Sequence, residues 1–390
     1  MVGNSKSRIC VIFGTRPEAI KLLPLVIAAK SDPRFDCRIC VTAQHRELLD
    51  TVLDGFGISV DRDLDLMQED QSLGSLTSRA MAALDQYLEQ HRPDLVLVQG
   101  DTTTSLCAAL AAFYRKIPVG HVEAGLRTRN VESPWPEEAN RVLISRLADL
   151  HFAPTETNRD HLLREDVPAD RIFVTGNTVI DALRLALKQI EKNPAPMNGL
   201  PRDLLRSVNG NLILITAHRR ENFGEHLRSI CHAITEIAER FPAYQFVYPV
   251  HPNPNVQEMA RKILVPAGLA NIHLLQPLGY LPFVYLMTRS KLLLTDSGGI
   301  QEEAPYLGKP VLVMRDTTER PEGVATGTTR LIGTSAGEIV EAVSALLDGK
   351  NGDYTSMARR VAPFGDGMAS GQILEACASF LDWDDSTPPG

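Results

Sequence analysis

The sequence predicts an α/β protein of two doubly wound, parallel-sheet, Rossmann-like domains facing one cleft. Short apolar runs without period-two alternation, as strands buried on both faces show, alternate with longer helical stretches. The pattern runs to about Val174 and restarts at Leu212. A chain of 390 residues also exceeds what one ordinary core organises.

Apolar residues make up 44% and charged residues 23%, the balance of a soluble globular protein. The net charge of -8 argues against a nucleic-acid or other polyanion surface, so an anionic ligand must be met by local groups. No run approaches the ~18 apolar residues of a membrane span. The first seven residues lack the apolar core of a signal peptide, and the expected location is cytoplasmic. Of six cysteines, Cys10, Cys107, Cys231 and Cys377 stand singly in apolar segments. Cys37 and Cys40 form a C-x-x-C without a second pair, so no metal is expected.

In the first domain the strand Arg8–Phe13 leads through Gly14-Thr15-Arg16-Pro17-Glu18 into helix Ala19–Lys30, with Pro17 suited to a first helical turn. Strand Arg38–Thr42, helix His45–Leu53, strand Arg62–Leu66, helix Ser72–Gln90, strand Leu95–Gln99, helix Thr103–Phe113 and strand Pro118–Val122 follow. Arg141–Leu147, Leu150–Ala153, Asn158–Glu165 and Arg171–Val174 complete it, and Thr175-Gly176-Asn177-Thr178 reads as the junction. The second domain has helix Val179–Ile190, a breaker-rich loop at 193–201, strand Leu212–Thr216, helix His226–Arg240, strand Gln245–Pro249, helix Val256–Leu264 and strand Ile272–Leu275. Strands Lys291–Leu294 and Val311–Met314 flank a further helix, and helix Ala336–Leu347 follows. A last helix, about Ala369–Leu381, is expected to return to the first domain. The expected division is 1–176 with helix 367–385, then 177–366, with 386–390 a frayed tail.

Ligands of such folds bind outside the carboxyl ends of the strands, so the turns there are the candidates. Asp296-Ser297-Gly298-Gly299 opens a helix whose unpaired N–H groups and dipole favour a phosphate. Glu302 and Glu303 are placed for sugar hydroxyls. Equally, Ser297 is an N-cap and the two acids complement the dipole. Gly14–Glu18 is not a G-x-G-x-x-G, so bound NAD is not expected; Arg16 suits a phosphate, or pairs with Glu18. Asp101 follows strand Leu95–Gln99 as a carboxylate or a plain N-cap. Glu123 ends the next strand, free for chemistry or paired with Arg127. Glu137 and Glu138 open a helix. Grouped carboxylates repel, and this raises at least one pKa toward the range useful for proton transfer. In the second domain His218-Arg219-Arg220 gathers positive charge that calls for an anion.

Together these turns resemble the non-hydrolysing UDP-N-acetylglucosamine 2-epimerase family, in particular its bacterial members. The matching segments are Gly14–Lys21, Gln99–Thr103, His121–Arg127, Pro134–Glu138, His218–Asn222 and Asp296–Glu303, and the match spans about Arg8 to Leu381. The resemblance implies the glycosyltransferase-B arrangement, a homodimer, no cofactor, and interconversion of UDP-N-acetylglucosamine and UDP-N-acetylmannosamine for cell-surface polysaccharide. It implies catalytic roles for Asp101, Glu123, Glu137 and His218. UDP-sugar contacts are implied for Arg16, Ser297, Gly298, Gly299 and Glu303, with Phe283 near the uracil, Lys21 and Arg320 near sugar and phosphates, and Gln276 also among the substrate-binding residues. Bacterial members carry a second, allosteric site, to which Gln44, His45, Arg46 and Gln71 correspond. Asp70 stands where many regulated members have Arg, and an acid there would repel a diphosphate.

The C2 proton of the sugar is not beside a carbonyl, which leaves transient oxidation or elimination of UDP across C1–C2 followed by re-addition. Without a dinucleotide fingerprint, elimination is expected. The alternatives are a 2-epimerase for a modified UDP sugar, a UDP-sugar glycosyltransferase, a hydrolysing epimerase, and a nucleotide-sugar binding module.

Overall fold

A computed structural model of the protein describes residues 6–42, 46–66, 68, 71–192, 199–201, 204, 210–349 and 353–384. The chain forms two compact units, Met1–Leu185 with Phe364–Gly390, and Ala186–Pro363. The helix Thr178–Lys192 runs from the first unit into the second, and the Asp181 carboxylate accepts the N–H groups of Ser370 and Ala369 at 2.9 and 3.3 Å, which ties the start of that helix to the first unit.

The first unit alternates β1 (Ser7–Phe13), α1 (Arg16–Ser31), β2 (Phe35–Val41), α2 (Arg46–Gly55), β3 (Arg62–Asp63), α3 (Leu73–His91), β4 (Leu95–Gln99), α4 (Thr103–Tyr114) and β5 (Val119–Val122). It continues with α5 (Glu137–Leu147), β6 (Leu150–Ala153), α6 (Glu156–Arg164), β7 (Ile172–Val174) and α7 (Thr178–Lys192). The strands pair in parallel in the order β3-β2-β1-β4-β5-β6-β7. Apolar side chains leave both faces of these strands, so helices must cover both. On one face Leu84 and Leu88 of α3 and Ala108, Ala111 and Ala112 of α4 close on Ile12, Val96 and Val98. Each buried Leu or Ile of this kind contributes roughly 1.5–3 kcal/mol. β3 stops short of the expected Leu66, since Asp65 turns left-handed at φ 48°.

The second unit repeats the plan with β8 (Leu212–Thr216), α8 (Glu225–Arg240), β9 (Gln245–Pro249), α9 (Pro254–Leu264), β10 (Ile272–Leu275), α10 (Tyr280–Arg289), β11 (Ser290–Thr295), α11 (Gly298–Tyr306) and β12 (Val311–Val313). Then come α12 (Pro321–Ala325), β13 (Thr329–Leu331), α13 (Ala336–Leu347) and α14 (Asp353–Met357). Its parallel order is β10-β9-β8-β11-β12-β13. Ile230, Ile234 and Ile237 of α8 and Ile339 and Val343 of α13 pack on Ile213, Phe246, Leu294 and Leu312.

The chain ends with α15 (Ala369–Asp384), which packs on α1 in the first unit with Ile373 and Cys377 fully buried. In each sheet the strand order reverses beside the first strand, between β1 and β4 and between β8 and β11. The turns after those four strands flank the crevice that a doubly wound sheet opens to a ligand.

Candidate active site

In the first unit one buried acid spans the switch point. The Glu18 carboxylate accepts the N–H groups of Gly14 and Thr15 at 3.1 and 2.8 Å and the Thr15 hydroxyl at 2.7 Å. From the β4 side it accepts the Thr102 and Ser105 hydroxyls at 2.7 and 2.9 Å. Thr15 and Glu18 form the capping box of α1, which fixes the turn carrying Arg16. Arg16 itself opens α1 and is half-buried.

Glu123 follows β5 in the left-handed region at φ 64°, where a residue with a Cβ costs roughly 1–2 kcal/mol. Such strain in a non-glycine residue persists where surrounding contacts enforce it, often at functional sites. Here they do: the carboxylate, 5% exposed, pairs with the Lys21 ammonium, accepts the Gln99 amide, and accepts Asn177 Nδ2 at 2.8 Å. Arg127 is not its partner. That guanidinium is buried against Glu165 with both contacts at 2.7 Å. His121, on β5, donates its Nε2–H to the Gly100 carbonyl at 2.7 Å, and burial pushes its pKa down to about 4, so it is neutral.

Asp101 does not cap α4; the Thr102 hydroxyl does, accepting Ser105 N–H at 3.1 Å. The Asp101 carboxylate pairs with Arg141, and its carbonyl accepts the Asn140 amide at 2.8 Å. Both partners belong to α5, whose first residue is Glu137. Glu138 is buried beneath, holding the Thr128 and Arg129 N–H groups at 3.0 and 2.8 Å and standing 3.2 Å from Arg141. Glu137 is half-buried, and its side chain makes no hydrogen bond or ion pair among the described residues. A Cβ placed on Gly100 would lie 3.5 Å from Glu123 Oε2. Asp101, Glu123 and the first turn of α5 therefore share one corner of the first unit.

The second unit has its own buried acid at the switch point. Asp296, fully buried, accepts the N–H groups of His218 and Arg219 at 2.8 Å each and the Asn222 amide at 3.0 Å. Its other oxygen stands 3.2 Å from His218 Nδ1, near enough for charge attraction but off the line of a hydrogen bond. The anion that the basic turn calls for is thus supplied in part by the protein. The His218 ring, one-third exposed, stacks on His251 with centroids 5.4 Å apart.

The Ser297 side chain makes no cap hydrogen bond, which removes the plain-cap alternative for this turn. Nor do the two acids merely complement the dipole. Glu302 pairs with Arg320 at 2.6 Å, and Glu303 accepts the Tyr280 hydroxyl at 2.6 Å. The Arg320 guanidinium lies against the backbone of α11: a Cβ on Gly298 would be 2.6 Å from its Nη1, whereas one on Gly299 would meet nothing within 4 Å. Glu319 sits between Arg315 at 3.0 Å and Arg320 at 3.5 Å. Burial raises its pKa, but Arg320, Arg315 and Arg219 outweigh that and hold it at about 2. Phe283 is half-buried on α10, and Gln276 is exposed after β10.

Sequence reasoning missed Gln99, Asn177, Arg141, Tyr280 and Glu319 as parts of these constellations. Only Asn177 carried a local signal, an Asx residue directly ahead of a helix. Gln44, His45 and Asp70 lie outside the described residues, as do the Arg46 side chain, most of the 193–201 loop and the 386–390 tail. Gln71 accepts a hydrogen bond from Arg79. Among the described residues no cluster of His, Cys, Asp and Glu suits a metal ion, and no helix is long and apolar enough to cross a membrane.

Residues 27–378 match the family model described as UDP-N-acetylglucosamine 2-epimerase. The chain is 55% identical over 370 residues to the UDP-N-acetylglucosamine 2-epimerase of Yersinia pestis, covering 95% of this chain and 98% of that one. With the Escherichia coli K12 protein of the same name the identity is 54% over 370 residues, 95% and 98% covered. Among solved structures, the UDP-GlcNAc 2-epimerase of Neisseria meningitidis bound to UDP-GlcNAc superposes with TM-score 0.88 at 48% identity, covering 95% and 100%. The Staphylococcus aureus MnaA–UDP structure gives 0.89 at 43% identity, covering 98% and 99%.

Proposed function

Since the chain belongs to the UDP-N-acetylglucosamine 2-epimerase family, we propose that it inverts C2 of UDP-N-acetylglucosamine to give UDP-N-acetylmannosamine, reversibly and without hydrolysis. The observation that carries this reading is the strained Glu123 carboxylate, held by three donors beside Asp101 and the first turn of α5. A nucleotide-sugar binding module would have no use for such a corner.

The base takes the C2 proton, the C1–oxygen bond breaks, and UDP leaves with the bonding pair, giving 2-acetamidoglucal. UDP then re-adds through its β-phosphate oxygen to C1 as a proton is delivered to the other face of C2. Asp101, Glu123 and Glu137 are the proton-transfer candidates, with no assignment of residue to face; one well-placed acid–base group contributes roughly 10²–10⁴-fold. Arg16, His218, Arg320 and the Ser297–Gly299 turn stabilise the departing diphosphate, as preorganised donors do for developing negative charge. Glu303 suits a ribose hydroxyl and Phe283 the uracil ring.

Incubation with UDP-N-acetylglucosamine alone in D2O, followed by NMR, tests the proposal. Expected is UDP-N-acetylmannosamine carrying deuterium at C2. Free N-acetylmannosamine with UDP would make the protein a hydrolase, and unchanged substrate would leave a binding module.

A further inference from the structure

From the contacts of Glu123 we infer that Asn177 is a positioning residue: its side-chain amide sets the catalytic carboxylate and ties it to the segment where the chain re-enters the first unit. The inference rests on the function proposed above.

Asn177 is 2% exposed and stands between β7 and α7. Its orientation is forced. Val179 N–H, which can only donate, meets Asn177 Oδ1 at 3.1 Å and so caps α7. The amide nitrogen must then point the other way, and it donates to Glu123 Oε1 at 2.8 Å. An ionised carboxylate only accepts, so it meets a group that only donates. Lys21 from α1 and Gln99 from β4 complete the clamp, which holds the carboxylate against the strained backbone that carries it. Asn177 is also fixed through its main chain to a distant segment: its N–H donates to the Phe364 carbonyl at 2.7 Å.

That contact belongs to a close seam. Gly176 and Gly365 have φ of 83° and 108°. A Cβ on Gly365 would lie 2.9 Å from the Gly176 Cα, and one on Gly176 would lie 3.0 Å from the Gly365 Cα. No side chain fits between the two backbones. A displacement of 364–365 therefore moves Asn177, and Asn177 moves the carboxylate. An orientation error of this kind lowers turnover without touching nucleotide binding, since tolerances at a proton-transfer site are below about 1 Å.

The test compares Asn177→Asp with Asn177→Ser. Both keep an oxygen that caps α7. Serine is too short to reach Glu123 and adds no charge; aspartate is isosteric but turns the donor into an acceptor facing a carboxylate. Turnover is measured per UDP-binding molecule, counted by calorimetric titration, so misfolded protein does not enter. Expected is a fall in kcat of at least ~10-fold for Asn177→Ser and at least ~100-fold for Asn177→Asp, with KM and UDP affinity little changed. A merely structural asparagine predicts the reverse order, with the isosteric aspartate milder. Gly365→Ala should lower kcat in the wild-type background and add little to Asn177→Ser, because both act through one contact. An aspartate variant as active as the serine variant overturns the inference, as does a loss confined to KM. Wild-type protein is assayed alongside: no epimerised product from it removes the proposed function and this inference together, whereas product from wild type and all variants alike removes the inference alone.

Discussion

Asp296 and His218 are joined twice: the Asp296 carboxylate accepts the main-chain N–H of His218 at 2.8 Å and stands 3.2 Å from the imidazole Nδ1 of the same residue. One buried acid holds the turn by hydrogen bonds and faces the ring with its other oxygen. Asp296→Asn keeps the shape and can leave its oxygen on the three donors, but it turns an amide NH2 toward the imidazole and removes the charge facing it. We expect a loss of roughly 1–3 kcal/mol in urea unfolding. Turnover should drop by about 10²-fold, the cost of misplacing one preorganised group. Wild-type kcat in this variant would show that His218 is held by its other contacts.

The corner of the first unit gives a prediction of another kind. Asp101→Asn and Glu123→Gln remove the proposed proton-transfer groups and leave the second unit untouched. Each should reduce kcat by roughly 10²–10⁴-fold while UDP binding, followed by calorimetry, stays as in the wild type. Loss of UDP affinity instead would recast both carboxylates as structural.

Two adjacent glycines at the start of α11 should respond differently to the same substitution. At Gly298 an added Cβ would be 2.7 Å from the Arg320 guanidinium carbon, and Arg320 is anchored at Glu302. Gly298→Ala should therefore lower both stability and UDP affinity. At Gly299 nothing lies within 4 Å. Alanine there should raise the unfolding midpoint slightly, since glycine is up to ~1 kcal/mol worse than alanine inside a helix. It should nonetheless weaken UDP binding, because the methyl group fills the approach to the backbone amides. Unchanged UDP affinity in Gly299→Ala would mean that the phosphates bind elsewhere.

Glu319 gives a pH signature. Its folded pKa of about 2 lies below the ordinary 4.5, so its ionised form stabilises the fold. That stabilisation is complete above about pH 4.5 and is lost as pH falls toward 2. At neutral pH Glu319→Gln should be less stable than wild type by roughly 3 kcal/mol at most, about 1.4 kcal/mol per pH unit of the shift. The two urea curves should converge between pH 4.5 and 2. A constant difference across that window would mean that the loss comes from packing rather than charge.

How much of this the sequence shows depends on range. Leu95–Gln99, Leu150–Ala153, Leu212–Thr216, Gln245–Pro249 and Ile272–Leu275 are strands with the predicted bounds, because an apolar run between turn residues is a local signal. α10 and β13 are not predicted. Tyr280-Leu281-Pro282-Phe283 has a proline in its first turn and apolar residues on every side, which hides the helical period. Thr329–Leu331 is three residues long, too short for a pattern. The turns bearing Asp101, Glu123, His218 and Ser297 are legible for the same local reason as the strands. Their partners are not: Lys21 meets Glu123 across 102 residues, and Asp296 meets His218 across 78. Such pairings exist only once strands have been ordered, and strand order is not written in any one segment.

The return of α15 to α1 has a consequence for how the protein is made. The second unit, Ala186–Pro363, is one uninterrupted stretch, while the first is built from the two ends of the chain. On the ribosome the first sheet is finished early but lacks the helix that carries Ile373 and Cys377, and Asp181 has no N–H groups of Ala369 and Ser370 to accept. The second unit has all of its strands and can close while the first waits. Synthesis of α15 then completes the older unit last, so a nascent chain stalled before residue 369 would carry a folded second unit and an unfinished first one.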